Sequence, residues 1–154
     1  MGEPKEETFR VLAEISPSMP LERPRYMMGA GTPLELLEAV AQGIDLFDCV
    51  NPTRYGRTGA AFTSKGLVVV RNGKYNRDFG PLEESCPCYA CRNFTRSYLR
   101  HLFNCGEMLG PQLVSQHNIY FFLNFMAQVR REVEAGTFAE FKKNYRNQFD
   151  PSHR

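Results

Sequence analysis

The sequence predicts an α/β fold that carries an additional, cysteine-containing segment. Residues 25–50 read as a strand, a helix and a second strand, which is the repeating unit of a parallel sheet or of a (β/α)8 barrel. Residues 60–71 then read as a β-hairpin, and a cluster of three cysteines follows it. The chain has 154 residues, of which 42% are apolar and 23% charged, so it is long enough to bury a core and too apolar for a disordered segment.

The strand-helix-strand unit is preceded by a helix and a connector. The helix covers the first dozen residues and ends near Glu14, and a proline-rich connector follows at 16–24. The first strand covers 25–28 and is closed by Gly29, and the second strand covers 44–50. Two strands linked by a helix in this way are expected to lie parallel.

The helix between these strands has clear start and stop signals. Thr32 is the predicted N-cap, with Pro33 in the first turn and Glu35 at the capping-box position. The helix should run to Gln42 and stop at Gly43.

The second half of the chain is predicted to be mainly helical. The hairpin strands cover 60–63 and 66–71, and helices follow at about 92–104, 111–135 and 137–148. The long helix has an inward-facing apolar stripe at helical spacing. Its members are Val114, Phe121, Phe125 and Val129.

The number of strands is small for a complete parallel-sheet enzyme. Only about two barrel strands can be found, whereas a complete (β/α)8 barrel takes about 250 residues. We therefore expect this chain to be the tail of a larger enzyme.

Three cysteines within six residues predict a metal site. Cys86, Cys88 and Cys91 are followed by His117 after 25 intervening residues, inside the predicted long helix. Three thiolates on a tight turn and an imidazole from a returning helix suit a closed tetrahedral Zn²⁺ site of the Cys₃His type. The alternative is a set of unligated or redox-active thiols.

A disulfide framework fits less well. The chain has five cysteines, an odd number, with neither a signal peptide nor an apolar run long enough to span a bilayer. The other two cysteines, Cys49 and Cys105, are expected to be small side chains in the core.

Charge is unevenly distributed along the chain. Residues 1–48 carry nine acidic and four basic residues, whereas residues 54–100 carry nine basic and three acidic residues with aromatic residues between them. Such a basic stretch is compatible with a nucleic-acid partner. A solvated face beside core aromatic residues explains the same pattern.

The end of the second strand carries a candidate catalytic group. Asp48 lies at that end, and Arg54 and Arg57 follow six and nine residues later. Barrel enzymes hold catalytic groups at the C-terminal ends of their strands, and the arginines could bind phosphates or bases. By spacing alone, an aspartate that caps the next loop is the simpler interpretation.

The amino-acid sequence of several segments resembles that of the bacterial tRNA-guanine transglycosylases (queuine tRNA-ribosyltransferases). The similarity runs through essentially the whole chain, and its motifs occur in the family's order. They are Pro24–Gly29, Gly31-Thr32-Pro33, Phe47–Val50 with Pro52-Thr53-Arg54, Gly80-Pro81-Leu82, Ser97–Leu102, and the Cys-x-Cys-x-x-Cys motif with His117-Asn118.

The resemblance implies an enzyme that exchanges guanine at the wobble position of certain tRNAs for a 7-deazaguanine, the precursor of queuosine. The aspartate that matches Asp48 is the nucleophile in that family, and a carboxylate can capture the ribose C1′ covalently. Met28 matches the residue that stacks on the bound base, and Gly29 matches the adjacent pocket backbone. Arg54 and Arg57 match residues that contact the anticodon loop beside the flipped nucleotide.

The resemblance also implies cofactor, partners and architecture. Cys86, Cys88, Cys91 and His117 match the ligands of one structural Zn²⁺. The family acts as a cytoplasmic homodimer on tRNA. The implied fold is the C-terminal part of a (β/α)8 TIM barrel with an inserted zinc-binding subdomain.

Three segments are predicted within that architecture. Residues 1–58 form the barrel βα segment with the nucleophile loop, 59–120 the hairpin and zinc-binding subdomain, and 121–154 the C-terminal barrel helices. The family's second catalytic aspartate lies in an N-terminal half that this sequence does not contain. We therefore expect the isolated chain to bind zinc without turnover. The alternatives are a non-catalytic zinc-stabilised module that binds tRNA or a partner subunit, and a gene remnant without a stable fold.

Overall fold

The structure is a computed structural model that describes residues 5–149. Within that range the helices are α1 Lys5–Ile15, α2 Pro33–Ala41, α3 Asn51–Thr58, α4 Tyr89–Asn93, α5 Arg96–Asn104, α6 Leu109–Glu134 and α7 Phe138–Phe149. The strands are β1 Tyr26–Met28, β2 Leu46–Asp48, β3 Ala60–Thr63 and β4 Gly66–Val69. The described chain divides into two compact units: residues 5–49 with 129–149 form unit 1, and residues 50–128 form unit 2. The mixed α/β class predicted from the sequence is confirmed.

Unit 1 contains the predicted strand-helix-strand element. Strands β1 and β2 pair in parallel, with Tyr26 opposite Leu46 and Met28 opposite Asp48, and helix α2 connects them. The capping box at the start of α2 is confirmed: the Glu35 amide donates to the Thr32 hydroxyl at 3.3 Å, and the Thr32 amide donates to the Glu35 carboxylate at 2.7 Å. The strands are shorter than predicted, at three residues each.

The core of unit 1 lies on one face of this strand pair. Leu12 from α1, Ala39 from α2 and Ile44 are buried together. Met27 and Phe47, the middle residues of β1 and β2, pack against them from the sheet. Because neighbouring residues of a strand point to opposite faces, the strand-end residues lie on the other face of the sheet.

Unit 2 is built around a β-hairpin and helices α5 and α6. Strands β3 and β4 form the predicted hairpin. They pair antiparallel, with Ala60 opposite Val69 and Thr63 opposite Gly66. The buried core combines hairpin, cysteine-segment and helix residues. It consists of Ala61, Val70, Leu82, Cys88, Ala90, Cys91, Leu99, Leu102, Phe103, Leu113 and Val114.

Helix α3 was not predicted from the sequence. Gly56 in its middle lowers helix propensity, and the segment reads as a loop after the second strand. In the structure, Gly56 lies against helix α6: a Cβ atom there would be 2.3 Å from the Ser115 Oγ and 2.6 Å from the Ser115 Cα. The helix therefore packs closely on α6 because residue 56 has no side chain.

The predicted helix at 92–104 is two helices. Helix α4 ends at Asn93, Phe94 is extended, and Thr95 caps α5 by accepting a hydrogen bond from the Tyr98 amide at 3.2 Å. The threonine cap is a local signal that ends one helix and begins the next.

The inward stripe of helix α6 is largely confirmed. Val114, Phe125 and Val129 are buried. Phe121 is half-buried, and its ring stacks on the Phe125 ring with centroids 6.2 Å apart.

The prediction that both remaining cysteines are core side chains was wrong for Cys105. This residue is exposed after the end of α5, and Cys49 is half-buried. Cys105 follows the last turn of a helix whose buried face is formed by Leu99, Leu102 and Phe103, so it falls outside that face.

Candidate active site and metal centre

The three cysteine sulfurs converge on one nitrogen of His117. The Sγ atoms of Cys86, Cys88 and Cys91 lie 3.7, 3.5 and 3.3 Å from the His117 Nδ1. All four ligand atoms lie within 4.8 Å of one another. A tetrahedral zinc ion with ordinary Zn–S and Zn–N bonds needs its ligand atoms roughly 3.5–3.8 Å apart. The predicted grouping is confirmed, and the donor set fits a closed structural zinc site.

Local structure places each of the three cysteines. Cys88 is the N-cap of α4, and its Sγ accepts a hydrogen bond from the Cys91 amide at 3.4 Å. Cys91 is therefore one helical turn after Cys88 and on the same side of the chain. Cys86 precedes Pro87, which keeps the approach to the helix extended.

His117 is held in the tautomer that a metal at Nδ1 requires. It is fully buried on α6, and its Nε2–H donates to the Phe62 carbonyl at 2.8 Å. The lone pair on Nδ1 then faces the sulfurs. Burial lowers the pKa of His117, so the imidazole is neutral at neutral pH.

Burial lowers the pKa of His117 but raises the pKa of two of the thiols. It raises the pKa of Cys86 to about 11, and it also raises the pKa of Cys91. The thiolates that zinc binds are therefore disfavoured in the metal-free cluster, and neighbouring thiolates add repulsion. A divalent cation removes both penalties.

Asn118, next to the histidine, ties helix α3 and strand β3 of unit 2 to helix α6 through three hydrogen bonds. Its side-chain oxygen accepts the Phe62 amide at 2.9 Å, and its amide nitrogen donates to the carbonyls of Pro52 and Ala60, each at 2.9 Å. The side chain is fully buried. The resemblance motif contained Asn118, but sequence reasoning gave it no structural role.

The C-terminal ends of β1 and β2 bring together the second group of predicted site residues. Asp48 ends β2, opposite Met28 at the end of β1. The Gly29 amide donates both to the Asp48 carbonyl and to its carboxylate Oδ1, each at 3.2 Å. Gly29 has a φ of +78°, which only glycine adopts without strain, so this close bend depends on residue 29 being glycine.

The carboxylate of Asp48 faces outward on an unburied face of the sheet. Met28 is 74% exposed beside it. Tyr26 lies on the same face of the sheet, and interaction with the Asp48 carboxylate raises the pKa of its phenol. Sequence reasoning missed Tyr26 as a site residue. The available signal was its position two residues before Met28, on the same face of the strand.

Arg54 and Arg57 lie on helix α3 of unit 2. They are three residues apart, which places them on neighbouring positions of one helix face, and both are exposed. Neither guanidinium has an ion-pair partner within residues 5–149. The helix is positioned by the Asn118 bond to Pro52 and by the Gly56 contact with α6.

The predicted site residues thus fall into three groups. Met28, Gly29 and Asp48 meet at one strand end in unit 1. The two arginines share a helix, and the four metal ligands share a cluster, both in unit 2. Across the part of the chain that the structure describes, no helix is both long enough and apolar enough to cross a membrane.

A family profile and individual relatives all point to the same protein family. The sequence profile of the family described as "Queuine tRNA-ribosyltransferase" matches residues 1–151. Proteins named "Queuine tRNA-ribosyltransferase" are similar to this chain: that of Marinobacter nauticus is 50% identical over 145 residues, and that of Methylibium petroleiphilum is 51% identical over 146 residues. The Geobacillus kaustophilus relative is 48% identical over 145 residues.

These alignments cover most of this chain and a smaller part of each relative. They include 94%, 95% and 94% of this chain, and 39%, 39% and 38% of the three relatives. The chain therefore spans about two-fifths of the length of the curated relatives that it matches.

Proposed function

This chain belongs to the queuine tRNA-ribosyltransferase family, and we propose that it supplies the nucleophile and the zinc-binding part of such an enzyme. The proposed reaction exchanges guanine at the wobble position of tRNA for a 7-deazaguanine, a step of queuosine biosynthesis. The observation that carries the proposal is the Asp48 carboxylate, exposed at the end of a parallel strand and held by the Gly29 amide at 3.2 Å.

The proposed chemistry uses Asp48 twice. Its carboxylate attacks the ribose C1′ while the bond from C1′ to guanine breaks, which leaves the ribose esterified to Asp48. A ring nitrogen of the incoming base then attacks C1′ and expels the carboxylate. Two displacements on one carbon give net retention. Guanine leaves with a proton from a general acid, and the incoming base gives one proton back to that group; the family resemblance assigns this role to a second aspartate.

Met28 and Gly29 are proposed to bind the exchanged base. The exposed Met28 thioether lies directly opposite Asp48 in the strand register, so a planar base stacked on it would present its glycosidic bond near the carboxylate. The backbone at Gly29 is open, with nothing within 4 Å of the position that a Cβ would take.

Arg54 and Arg57 are proposed to bind the anticodon loop. Exposed guanidinium groups without carboxylate partners are available for phosphates and for stacking on unpaired bases. The zinc ion itself has no proposed step in the exchange. Its four protein ligands would hold the cysteine segment, α6 and, through His117 and Asn118, the hairpin in one arrangement.

Several broader features belong to the same proposal. The parallel β1–α2–β2 element is proposed to be part of a (β/α)8 barrel, with segment boundaries near residues 58 and 120 as the sequence predicts. The complete enzyme is proposed to be a cytoplasmic homodimer, as family resemblance implies. Analytical ultracentrifugation of a full-length protein tests the dimer directly.

The test of the proposed function uses the part of a relative that the alignment with this chain does not cover. We suggest a fusion protein in which the N-terminal portion of the Marinobacter nauticus relative precedes residues 1–154. Incorporation of a radiolabelled 7-deazaguanine into tRNA should occur with the unsubstituted fusion protein and fall by at least about 10³-fold with Asp48→Asn.

The matched control is Asp45→Asn in the same segment. The Asp45 carboxylate accepts the Arg25 amide at 2.8 Å, a bond that an asparagine oxygen can also accept, so exchange should be retained. If Asp48→Asn retains exchange, the proposed nucleophile is wrong. If the fusion protein binds tRNA without exchange and Asp48→Asn leaves binding intact, the non-catalytic binding module is the better description.

A further inference from the structure

The loop at residues 71–80 follows the hairpin of unit 2 and exposes one aromatic side chain. Phe79 is 77% exposed, more than any other phenylalanine or tyrosine in the part of the chain that the structure describes. Its ring is absent from the buried core of unit 2. Single exposed apolar residues are common on protein surfaces, so the surroundings of Phe79 decide what its ring can do.

The backbone on both sides of Phe79 is fixed by the start of helix α5. Asp78 forms an ion pair with the Arg96 guanidinium, and its carbonyl accepts the Ser97 amide at 2.9 Å. The Gly80 carbonyl accepts the Arg96 amide at 2.8 Å, and the Gly80 amide donates to the Asp78 carboxylate at 2.9 Å. Phe79 therefore projects from a fixed support. A backbone that is already ordered loses little conformational entropy when a ligand binds.

Tyr75 fixes the first half of the loop against the same arginine. Its side chain is buried, and its ring centroid lies 5.6 Å from the guanidinium carbon of Arg96. Its carbonyl accepts the Asp78 amide at 3.3 Å. Arg96 thus contacts both halves of the loop, so the loop has one defined arrangement on α5.

The loop carries positive charge that the fold does not neutralise. Arg71, Lys74 and Arg77 are exposed, and none of them forms an ion pair with a carboxylate within residues 5–149. Asp78 is the only acidic residue of the loop, and Arg96 pairs with it. The loop therefore presents three cations and one aromatic ring to solvent.

The loop begins beside the end of helix α3. The carbonyl of Gly59, the C-cap of α3, accepts the Val70 amide at 2.8 Å. A Cβ atom at Gly59 would lie 3.2 Å from the Cγ of Arg71. Because Arg57 belongs to the last turn of α3, Arg71 continues the positive charge of that helix into the loop.

We propose that the 71–80 loop is a second tRNA-binding site, in which Phe79 stacks on an unpaired base and the three cations contact neighbouring phosphates. This inference rests on the proposed function, which makes tRNA the partner. An aromatic ring stacks on any base and cations follow the backbone, which is the combination that unpaired nucleic acid requires. A protein partner fits less well, since a protein interface buries a larger apolar core than one ring.

The stacking can be observed directly because the chain has no tryptophan, so that Phe79→Trp introduces a single one. An indole also stacks on bases, so this variant should keep the affinity of the unsubstituted chain. Titration of the zinc-loaded variant with a tRNA transcript should quench its tryptophan emission. Heparin, a polyanion without bases, should compete with tRNA and leave the emission unquenched.

Leu123→Trp is the matched control for the fluorescence. Residue 123 lies on α6 in the same unit and is 68% exposed, but it is outside the loop. Its emission should change little when tRNA is added. Equal quenching in the two variants would overturn the inference. Emission of Phe79→Trp that changes with protein concentration without RNA would also overturn it, and would identify the loop as a contact between copies of the chain.

Binding measurements separate the ring from the cations. Phe79→Leu keeps an apolar side chain without an aromatic face, so the affinity of the zinc-loaded chain for tRNA should fall about tenfold while its salt slope is unchanged. Arg77→Ala should instead reduce the slope by about 0.7–0.9. Arg131→Ala, exposed near the end of α6, should change neither quantity. In the fusion protein, Phe79→Leu should raise the KM for tRNA and leave kcat unchanged.

The outcomes distinguish this inference from the proposed function. If Phe79→Leu binds tRNA like the unsubstituted chain, the inference is overturned while the exchange reaction stands. If the unsubstituted chain does not bind tRNA at low salt, both the loop and α3 lose their proposed role, and Asp48 is still tested by exchange in the fusion protein. If that fusion protein shows no exchange, the proposed function fails, and the quenching of Phe79→Trp by tRNA decides the role of the loop.

Discussion

His117 shows how one hydrogen bond prepares a side chain to bind metal. Its Nε2–H donates to the Phe62 carbonyl at 2.8 Å, which leaves Nδ1 facing the sulfurs of Cys86, Cys88 and Cys91. The sequence spacing predicted these four residues because metal ligands follow a local pattern. The Phe62 carbonyl could not be predicted in the same way, since its bond to His117 joins segments that are distant in sequence.

Loss of one ligand should resemble loss of the metal. Structural zinc contributes on the order of 10 kcal/mol of apparent binding free energy, which is comparable to the stability of a domain. Cys88→Ser should therefore abolish stoichiometric zinc, measured by elemental analysis, and lower the melting temperature of the chain as strongly as chelation does. The buried Cys88 Sγ also caps α4, so the local helix is affected as well.

The matched control is Cys105→Ser. Cys105 is exposed and lies outside the metal cluster, so this variant should retain zinc and its melting temperature. Equal zinc content in both serine variants would refute the assignment of the site.

Zinc binding should release protons at neutral pH. Burial raises the pKa of Cys86 to about 11 and raises the pKa of Cys91, so both are thiols in the metal-free chain at pH 7, whereas zinc binds thiolates. His117 contributes no proton because burial lowers its pKa. Isothermal titration calorimetry in buffers of different ionisation enthalpy should therefore show at least two protons released per ion, one from each of these two thiols.

Zinc affinity and the stability of the metal-free chain should depend on pH in opposite directions. Zinc affinity should weaken as pH falls, because protons compete for the sulfurs. In the metal-free chain the raised thiol pKa has the opposite consequence. Its contribution to stability is present below pH 9 and is lost as pH rises toward about 11. Zinc affinity that does not change between pH 6 and pH 8 would contradict this description of the thiols.

Among the secondary-structure elements, those fixed by local sequence signals were predicted, whereas an element fixed by a tertiary contact was missed. The capping box at Thr32 and Glu35 and the hairpin at 60–71 were predicted because their signals lie within a few residues. Helix α3 was missed because Gly56 disfavours a helix locally, and its reason for being there is the contact with Ser115 on α6.

That contact makes Gly56→Ala a sharp test of how α3 is positioned. A methyl group at residue 56 would overlap the Ser115 backbone, so α3 must move or the helix must distort. We expect a loss of about 1–3 kcal/mol in the free energy of unfolding, measured by urea denaturation of the zinc-loaded chain. Gly73→Ala is the control, because nothing lies within 4 Å of the added methyl group and it should cost less than about 1 kcal/mol. Equal losses in the two variants would show that α3 does not pack on α6 in this way.

At the scale of the whole molecule, the sequence shows how charge is distributed, but it does not show which charged side chains stabilise the fold and which are available to a partner. Nine basic residues lie within 54–100. The structure gives them different environments: Arg96 forms an ion pair with Asp78 and donates to the Pro81 carbonyl at 2.6 Å, whereas Arg54 and Arg57 are exposed on α3. Composition alone cannot separate arginines that stabilise the fold from arginines available to a partner.

Salt dependence of tRNA binding separates these two kinds of arginine. Each phosphate contact contributes a slope of about 0.7–0.9 in a plot of log affinity against log salt concentration. Arg54→Ala and Arg57→Ala should each weaken tRNA binding by the zinc-loaded chain. Each should also reduce this slope by the contribution of about one phosphate contact. Arg131→Ala, at an exposed position near the end of α6, should change neither. Slopes that stay the same in all three variants would contradict the proposed role of α3.

The central claim, that Asp48 becomes bonded to ribose, is tested most directly by locating the covalent adduct. The fusion protein is incubated with tRNA, quenched and digested with protease and nuclease, and its peptides are analysed by mass spectrometry. We predict that a nucleotide remnant is found on the peptide that contains Asp48, attached at that residue, and that Asp48→Asn removes it. An adduct on another residue, or an active fusion protein whose Asp48 peptide is never modified, would contradict the assignment of Asp48 as the nucleophile.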